Sequence, residues 1–397
     1  MNDFDLQRPA MPELVSESES AAAPPGFGLI RGQGHTDEYF LNMGPQHPGT
    51  HGVLRLVLRM DGENVLEVVP HLGYIHRGLE KIGENQSYLQ NIHLSDRLDY
   101  LSSHMNNLAL CLVMEQALGL GVPERGEYIR VMVAELQRIQ SHLLWWGVMG
   151  LDMGAITSFL YGFKEREMIT DIFEELCGAR LTMNFFRPGG SFADVPDTFL
   201  PRVRAVIEKM KPALDEYDAL LTNNVIFHHR TKEIGVLPPE IALAHGCSGP
   251  VLRASGIPYD VRVNDPYSIY DRFAFMVPTG TTGDCFDRYK VRMEEMRQSL
   301  SILEQAAASF PGGPYRSKKY AAYKLPLGSH YAQVETARGL LGVYIEADGG
   351  PKPYRIKYRS PSFANLSVLN HLAVGHKIAD LIPIIATLDV VIPDIDR

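Results

Sequence analysis

The stretch "IRVMVAELQRIQSHLLWWGVMGL", residues 129–151, decides the fold class of this chain. Its apolar side chains recur every three or four residues, at Ile129, Met132, Val133, Leu136, Ile139 and Leu143. This spacing predicts a long helix that buries one face. The same pattern covers residues 98–114, and further helices are predicted over residues 158–177 and 197–222. Four long helices in succession predict a helical bundle over residues 73–234.

Three polar residues, Glu135, Arg138 and His142, lie at positions i, i+3 and i+7 of the first of these helices, so they share one face. Two interpretations remain open for them. They can form an ion pair at the surface. Alternatively, they can be buried beside the apolar run "LLWWGVMGL", where they must satisfy one another's hydrogen bonds at a cost in free energy.

Two further side chains allow both a structural and a chemical role. Asp152 is the only acid between Glu135 and Glu165. It can cap the helix predicted to start near Ala155, and a poorly solvated carboxylate can also exchange a proton with a nearby imidazole. Tyr100 lies at the start of a bundle helix, where it is either a packing residue or a phenol that binds a ligand carbonyl and gives up a proton.

Short strands are predicted before the bundle. Residues 39–44, 52–62 and 64–73 carry alternating or β-branched apolar residues separated by glycine turns. This pattern predicts a small N-terminal β-domain over residues 37–72, with a hairpin in its second half.

The rest of the chain, residues 235–397, is predicted to be mixed. It contains a helix over residues 296–310, a hairpin across "GGPK" and an exposed connection over residues 311–330 that is rich in Gly, Pro and Lys. The predicted fold class is therefore α+β, mainly α.

Composition limits the functions that are open to the chain. Its 397 residues allow two or three packed substructures, and the net charge of −9 argues against nucleic-acid binding. Residues 1–36 form an acidic tail that is predicted to be flexible or to lie along a partner, and this tail lacks the pattern of a signal peptide. No transmembrane helix is predicted, because the best candidate, residues 139–163, is interrupted by His142, Asp152 and glycines.

The stretch "NMGPQHPGTHGVLRL", residues 42–56, places His47 and His51 four residues apart, as in helical zinc sites. Pro48 and Gly49 lie between the two histidines, and no nearby Cys, Asp or Glu supplies a third ligand. A shaped loop is therefore favoured over a metal site. The four cysteines form no CxxC pair, which excludes a self-contained Fe–S motif, and no G-x-S-x-G elbow is present for a serine hydrolase.

Ordered sequence blocks then identify a family. "GPQHPGTHGVLRL", "PHLGYIHRGLEK", "YLQNIHLSDRLDY", "LDMGAITSFLYGFKERE", "LRASGIPYDVR", "GDCFDRY" and the terminal "DIDR" resemble the D subunit of proton-pumping NADH:quinone oxidoreductase, respiratory complex I. The mitochondrial counterpart is the 49-kDa subunit. The resemblance implies the fold of the nickel–iron hydrogenase large subunit. Hydrogenases bind their metal through two CxxC pairs, and because neither is present here, hydrogen chemistry is excluded.

The resemblance also implies a quinone pocket between this chain and the neighbouring subunit that binds the terminal 4Fe–4S cluster. His51 and Tyr100 match the ligands of the quinone headgroup, and Asp152 matches the carboxylate that pairs with this histidine. Arg77, in "HRGLEK", matches an arginine near the cluster that is methylated in some members. The remaining residues of the quinone-site loop are His47, Gly52 and Val53, and His47 is expected to hold the loop or line the pocket.

The implied activity is two-electron, two-proton reduction of a quinone, coupled to proton translocation, by a subunit that is not active alone. NADH and flavin bind other subunits, in line with the missing GxGxxG fingerprint. The implied partners are the terminal 4Fe–4S subunit, the C-type subunit and the membrane subunit that forms the quinone channel. The implied location is peripheral, on the cytoplasmic face of the bacterial inner membrane. Two alternatives remain: a non-catalytic hydrogenase-derived scaffold, and the equivalent subunit of a ferredoxin-driven complex.

One position departs from the family pattern. Family members commonly carry a histidine near the cluster, whereas the block "CGARLTMNFFRPGG" has Thr182 at that place. Threonine cannot take up a proton when the cluster is reduced. A lower and less pH-dependent cluster potential is therefore predicted, which suits a low-potential quinone such as menaquinone.

Overall fold

The computed structural model describes residues 38–317 and 323–397, so the tail predicted over residues 1–36 lies outside the described residues. Helices dominate, and the sheets are small and antiparallel, which confirms the prediction of a mainly helical α+β fold. No helix in these two ranges is long and apolar enough to cross a membrane.

The strands are β1 (Glu38–Met43), β2 (Gln46–His47), β3 (Gly52–Val53), β4 (Arg55–Asp61), β5 (Asn64–His71), β6 (Phe186–Arg187), β7 (Gly190–Ser191), β8 (Gly328–Thr336), β9 (Gly339–Ala347) and β10 (Pro353–Arg359). The helices of the first part of the chain are α1 (Leu79–Asn85), α2 (Tyr88–Ser95), α3 (Ser103–Leu118), α4 (Glu124–Asp152), α5 (Ile156–Cys177) and α6 (Phe199–Tyr217), the last continuing into a π-helical turn (Asp218–Thr222). The later helices are α7 (Val225–Thr231), α8 (Pro239–Ala244), α9 (Pro250–Ala254), α10 (Val261–Asn264), α11 (Cys285–Ala308), α12 (Pro361–Leu366), α13 (Leu369–Ala373), α14 (Ile378–Leu388) and α15 (Ile392–Asp396).

The first three long strands form an antiparallel sheet of order β1-β4-β5. On β4, Leu56, Leu58 and Met60 are fully buried and alternate with partly exposed residues, as expected for a strand with one face on the core. This buried face joins one apolar cluster with side chains of α14, including Ile384 and Leu388. The N-terminal sheet and the end of the chain therefore share a core.

Helix α4 carries Trp145 and Trp146, which are almost fully buried. Their indole N–H groups donate to the Ala386 carbonyl oxygen at 2.7 Å and to the Tyr289 hydroxyl at 3.2 Å. Each buried tryptophan contributes on the order of 4–6 kcal/mol of transfer free energy. The two indoles therefore fix α4 against both α14 and α11.

The first bundle helix begins later than its apolar spacing suggests. Leu98 and Leu101 are buried, but they lie in turns before α3. The Asp99 carboxylate accepts the N–H of Leu101 at 3.0 Å, and the Asn106 amide donates to the carbonyl oxygens of Ser95 (3.1 Å) and Asp99 (2.9 Å). Side-chain hydrogen bonds therefore replace the helical backbone bonds here.

The C-terminal sheet has the order β10-β9-β8, and β9 and β10 form the hairpin that the sequence predicts. Within the connection predicted over residues 311–330, residues 318–322 lie outside the described residues. Tyr323 and Leu325 of this connection are buried in the main core rather than exposed.

The start of α9 is fixed by a close backbone contact. Gly249 has a φ of +66°, and a Cβ there would lie 2.4 Å from Gly339 Cα and 2.6 Å from the Arg338 carbonyl oxygen. The neighbouring Ser248 hydroxyl accepts the N–H of Leu340 at 3.1 Å. The turn before α9 therefore lies directly against the β8–β9 turn.

Gly249→Ala should destabilise the protein well beyond the ~1–2 kcal/mol of left-handed strain alone, because its methyl group would collide with backbone atoms. Gly246→Ala is the matched control, since Gly246 also has a φ of +66° but its nearest neighbour is Arg359 Nη2 at 3.8 Å. The thermal unfolding midpoints of the two variants measure the difference. Equal losses in both would show that the contact at Gly249 is unimportant.

Candidate functional site

The loop between β2 and β3 is held by its own side chains. His47 caps the 3-10 turn Pro48–Thr50, and its Nδ1 accepts the N–H of Gly49 at 3.1 Å. The fully buried Thr50 hydroxyl lies 2.8 Å from the His47 carbonyl oxygen and 3.0 Å from the Gly52 carbonyl oxygen. Because a hydroxyl has a single proton to donate, the two carbonyls share it, and this closes the loop.

His51 adopts the left-handed backbone conformation, with a φ of 52°. This conformation costs about 1–2 kcal/mol for a non-glycine residue, so the surroundings must impose it. Gly49 packs against Ile382, and Gly52 packs against Ile392, because a Cβ at these glycines would approach the two isoleucines to 2.6 and 2.8 Å. The loop therefore rests on α14 and α15, which present His51 in a fixed position.

His51 and Asp152 are brought into contact by the fold, through Nε2 of the imidazole and Oδ2 of the carboxylate. Both side chains are mostly buried, with exposed fractions of 14% and 10%. Asp152 is the last residue of α4, and α5 has Ala155 as its N-cap without a side-chain bond, so the interpretation of Asp152 as an N-cap is wrong. Asp152 therefore lies at the negative end of the helix dipole of α4, where its partner is the His51 imidazole.

Tyr100 lies in the turn between α2 and α3, and 37% of its surface is exposed. Burial raises the pKa of its phenol, Arg338 opposes this rise, and Asp99 adds to it. Within the described residues the Tyr100 hydroxyl makes no hydrogen bond, so none joins it to His51 or Asp152.

Arg338 is a site residue that the sequence reasoning missed. Its buried guanidinium bonds Asp99 at 2.8 Å, Asp389 at 3.0 Å and the Ser141 hydroxyl at 3.1 Å. It therefore joins the Tyr100 turn, α4 and the C-terminal segment. Its local sequence, "TARG", contains no signal for this role.

Arg77 lies on the loop before α1, and its Nη2 donates to the Arg97 carbonyl oxygen at 2.7 Å. The chain end holds this loop. The Asp396 carboxylate accepts two of its backbone N–H groups, at 2.8 and 3.0 Å, and the Arg77 N–H donates to the Arg397 carbonyl oxygen at 3.0 Å. The C-terminal segment thus contacts both the Arg77 loop and, through Ile392, the His51 loop.

Glu135, Arg138 and His142 are fully buried, so the interpretation of this helix face as a surface ion pair is wrong. Glu135 accepts N–H groups from Arg138 and Arg262, both at 3.2 Å, and two hydroxyl groups at 2.7 Å. His142 Nε2 lies 2.9 Å from a Glu295 carboxylate oxygen. Within the described residues, these three groups form no hydrogen bond or ion pair with His51 or Asp152.

Metal ligation has no support at this loop. Nδ1 of His47 is occupied by a backbone N–H, and Nε2 of His51 faces Asp152. In the part of the chain that the structure describes, no group of three or more His, Cys, Asp or Glu side chains could hold a metal ion. The two histidines therefore have separate roles.

The surroundings of the pair are apolar and partly open. Val53 of the loop is 38% exposed, and near Asp152 in the sequence the exposed fractions of Leu151, Ile156 and Leu160 are 41%, 61% and 62%. An imidazole and a phenol can both donate hydrogen bonds to carbonyl oxygens. This combination suits an apolar molecule that carries carbonyl groups.

Known proteins resemble this chain over nearly its whole length. The family model described as the respiratory-chain NADH dehydrogenase 49-kDa subunit matches residues 152–324 and 320–397. The D subunit of the NADH-quinone oxidoreductase from Desulforamulus reducens is 48% identical over 361 residues, which cover 91% of this chain and 99% of the relative. The D subunits from Bacillus mycoides and Bacillus cytotoxicus are 48% and 47% identical over 362 residues, with the same coverage.

Thr50→Val should lower the free energy of unfolding by about 1–3 kcal/mol, because the carbonyls of His47 and Gly52 lose their shared donor in a buried position. Thr50→Ser restores the hydroxyl and should recover most of this loss. Denaturant unfolding of the variants provides the measurement. A valine variant as stable as the wild type would show that the hydroxyl does not hold the loop.

Proposed function

The chain belongs to the family of D-type subunits, the 49-kDa subunits, of NADH:quinone oxidoreductase, and we propose that it forms the site at which this complex reduces quinone. The complex as a whole is the enzyme. The observation that carries the proposal is the His51–Asp152 pair on a loop with a strained backbone. Backbone strain of this kind concentrates at functional sites, where the surrounding structure can impose it.

In the proposed site, His51 and Tyr100 donate hydrogen bonds to the two carbonyl oxygens of the quinone headgroup. Nε2 of His51 faces Asp152, which leaves Nδ1 for the headgroup. The electrons come from the 4Fe–4S cluster of a neighbouring subunit, and Arg77 is the residue of this chain proposed to lie near that cluster.

In the proposed mechanism, His51 and Tyr100 also deliver the two protons that the quinone takes up. As negative charge develops on the quinone oxygens, the imidazolium of His51 and the hydroxyl of Tyr100 each supply one proton. Asp152 stabilises the imidazolium before the transfer and faces a neutral imidazole afterwards. This change at a mostly buried carboxylate is the proposed start of the coupling to proton translocation.

Other subunits of the complex are the partners of this chain, as its family membership requires. The exposed apolar side chains of Leu151, Ile156 and Leu160 support the proposal that a membrane subunit completes the quinone channel beside Asp152. The cluster-bearing subunit and the C-type subunit are the other proposed neighbours. In this arrangement the chain lies peripherally on the cytoplasmic face of the bacterial inner membrane.

His51→Ala and Tyr100→Phe, each in the assembled complex, should lower quinone reduction by ~10²-fold or more, because each removes a proton donor. NADH oxidation with an artificial electron acceptor should stay unchanged, since it bypasses the quinone. Tyr354→Phe is the control, because 71% of Tyr354 is exposed. Undiminished quinone reduction in the two site variants would sink the proposed function.

The potential of the terminal cluster should depend weakly on pH, because Thr182 has no titratable group. Thr182→His should raise the potential and steepen its dependence on pH. Redox titrations of the purified complex at several pH values, followed by electron paramagnetic resonance, test this expectation and the proposal of a low-potential quinone such as menaquinone. Identical slopes for the two proteins would contradict it.

A further inference from the structure

Arg253, on α9, is surrounded by three carboxylates in the protein core. Its guanidinium nitrogens lie 2.6 Å from Glu295 Oε1, 2.7 Å from Glu335 Oε1 and 3.6 Å from Asp260 Oδ2. All four side chains have an exposed fraction of 0%. One guanidinium offsets only one of these three negative charges, and an uncompensated charge in such an interior costs several kcal/mol.

The neighbouring guanidinium groups already have partners. Arg262 binds both oxygens of Asp260, at 3.0 and 2.7 Å, and Glu135 lies between Arg262 and Arg138. Arg138 and Arg262 therefore balance Glu135 and Asp260. A second buried group pairs Arg292 and Arg338 with Asp99 and Asp389, and the nearby buried Asp394, whose pKa burial raises to about 6, accepts the Ser360 hydroxyl.

Among the residues that the structure describes, Arg253 is therefore the only guanidinium that contacts Glu295 or Glu335. When two carboxylates share one site, one of them retains its proton. The pair therefore balances Arg253 only if it binds one proton.

The hydrogen bonds indicate which glutamate binds it. Glu295 accepts two N–H groups of Arg253, at 3.0 and 2.6 Å, and faces His142 at 2.9 Å. Glu335 accepts one N–H of Arg253 at 2.7 Å and a longer one from Val261 at 3.2 Å. The anion of Glu335 is therefore the less stabilised of the two.

The pKa directions agree with this difference. Burial raises the pKa of Glu335 and Asp260 adds to the rise, which Arg253, Arg262 and Arg138 only partly oppose. Burial also acts to raise the pKa of Glu295, but Arg253 and His142 outweigh it and hold that pKa well below its usual range. Burial lowers the pKa of His142 against the opposing effect of Glu295, which leaves the imidazole neutral near pH 7.

Further groups face Glu335 from the surrounding elements. The Tyr267 hydroxyl accepts the backbone N–H of Glu335 at 3.2 Å, and the Tyr259 phenol and the Arg359 guanidinium act on it at longer range. Arg359 donates to the Ser248 hydroxyl and to backbone carbonyl oxygens, and within the described residues it contacts no carboxylate. None of these groups supplies a second positive partner in contact with Glu335.

We propose that Glu335 is an internal proton-binding site, protonated at neutral pH, which keeps the buried cluster around Arg253 electrically neutral. Loss of this proton at alkaline pH places an unbalanced charge at the end of β8. Arg138 bonds the carbonyl oxygens of Glu335 and Thr336 at 2.8 Å each, and Arg338 lies in the turn that follows. If the proposed function holds, the charge then disturbs the Tyr100 turn through the Arg338–Asp99 bond.

The dependence of stability on pH tests whether Glu335 binds a proton in the folded protein. A carboxyl whose pKa is raised by folding contributes stability that is fully present below its unfolded pKa and is lost as the pH rises through its folded pKa. Glu335→Gln cannot ionise and keeps this contribution. The thermal midpoint of the E335Q complex minus that of the wild-type complex should therefore rise with pH, by about 1–3 °C per pH unit, from the ordinary glutamate pKa of ~4.3 up to the pKa of folded Glu335, and level off above it.

A glutamate that is ionised in the folded protein gives a flat difference above pH ~4.3, so a flat or falling difference between about pH 5 and 7 overturns the proposal. Glu115→Gln is the matched control, because Glu115 is buried and binds Arg130 with both oxygens, at 2.5 and 3.0 Å. Its midpoint difference should not rise with pH.

Infrared spectroscopy is a second readout, in which E335Q is compared with the wild-type complex because burial also raises the pKa of Asp96 to about 7 and that of Asp394 to about 6. Raising the pH should remove intensity from a carboxylic-acid C=O band that shifts in D₂O, and E335Q should lack this band. If no carboxylic-acid intensity is lost in the wild type, Glu335 is not protonated and the proposal fails. Neither measurement involves quinone, so their failure leaves the roles of His51 and Tyr100 untouched.

The proposed effect of Glu335 on the quinone site, through Arg338, is tested by a separate measurement. The alkaline decline of quinone reduction should move to higher pH in E335Q, while reduction of an artificial acceptor keeps the wild-type profile. An unmoved decline would refute the link through Arg338, even if the stability and infrared results support the bound proton.

Discussion

The guanidinium of Arg338 is the interaction on which the site depends. It is buried and bonds Asp99 before α3, Ser141 in the middle of α4 and Asp389 after α14. These three residues come from distant parts of the chain, so one side chain sets the relative positions of three segments. Removing one partner of such a buried pair typically costs about 3–5 kcal/mol, because the remaining charge is left without compensation. The Tyr100 turn therefore has little freedom to move independently of the bundle.

The His51 loop illustrates a different constraint, in which local strain is supported by packing. The left-handed backbone at His51 is unfavourable by itself, and the Thr50 hydroxyl together with Ile382 and Ile392 maintains it. Ile392 belongs to the same C-terminal segment as Asp389. The loop that presents the imidazole and the guanidinium that holds the Tyr100 turn therefore both depend on where the end of the chain docks.

Sequence patterns predicted α4, α5 and α6 because their apolar spacing is a local property, but they placed the start of α11 at residue 296 rather than at Cys285. Gly178 ends α5 in the left-handed conformation, at the position where the pattern placed the helix end. The start of α3 was missed, because Asp99 and Asn106 replace backbone hydrogen bonds in a way that no periodicity reveals. The fit of Asp152 to an N-cap preference was misleading for a similar reason, since an aspartate before a predicted helix can also be the last residue of the preceding one.

The sequence by itself determined the mainly helical fold class, the family and the loop around His51. These follow from periodicity, from the positions of glycine and proline, and from ordered motif blocks, which are all properties of the local sequence. Only the tertiary structure decided that Glu135, Arg138 and His142 are buried, that His51 meets Asp152, and that Arg253 and Arg338 each gather carboxylates from several elements. The physical reason is that a charge in the interior is defined by its partners, and those partners lie up to 239 positions away in the sequence. A linear pattern shows which residues can ionise, but their protonation depends on the charges that folding places around them.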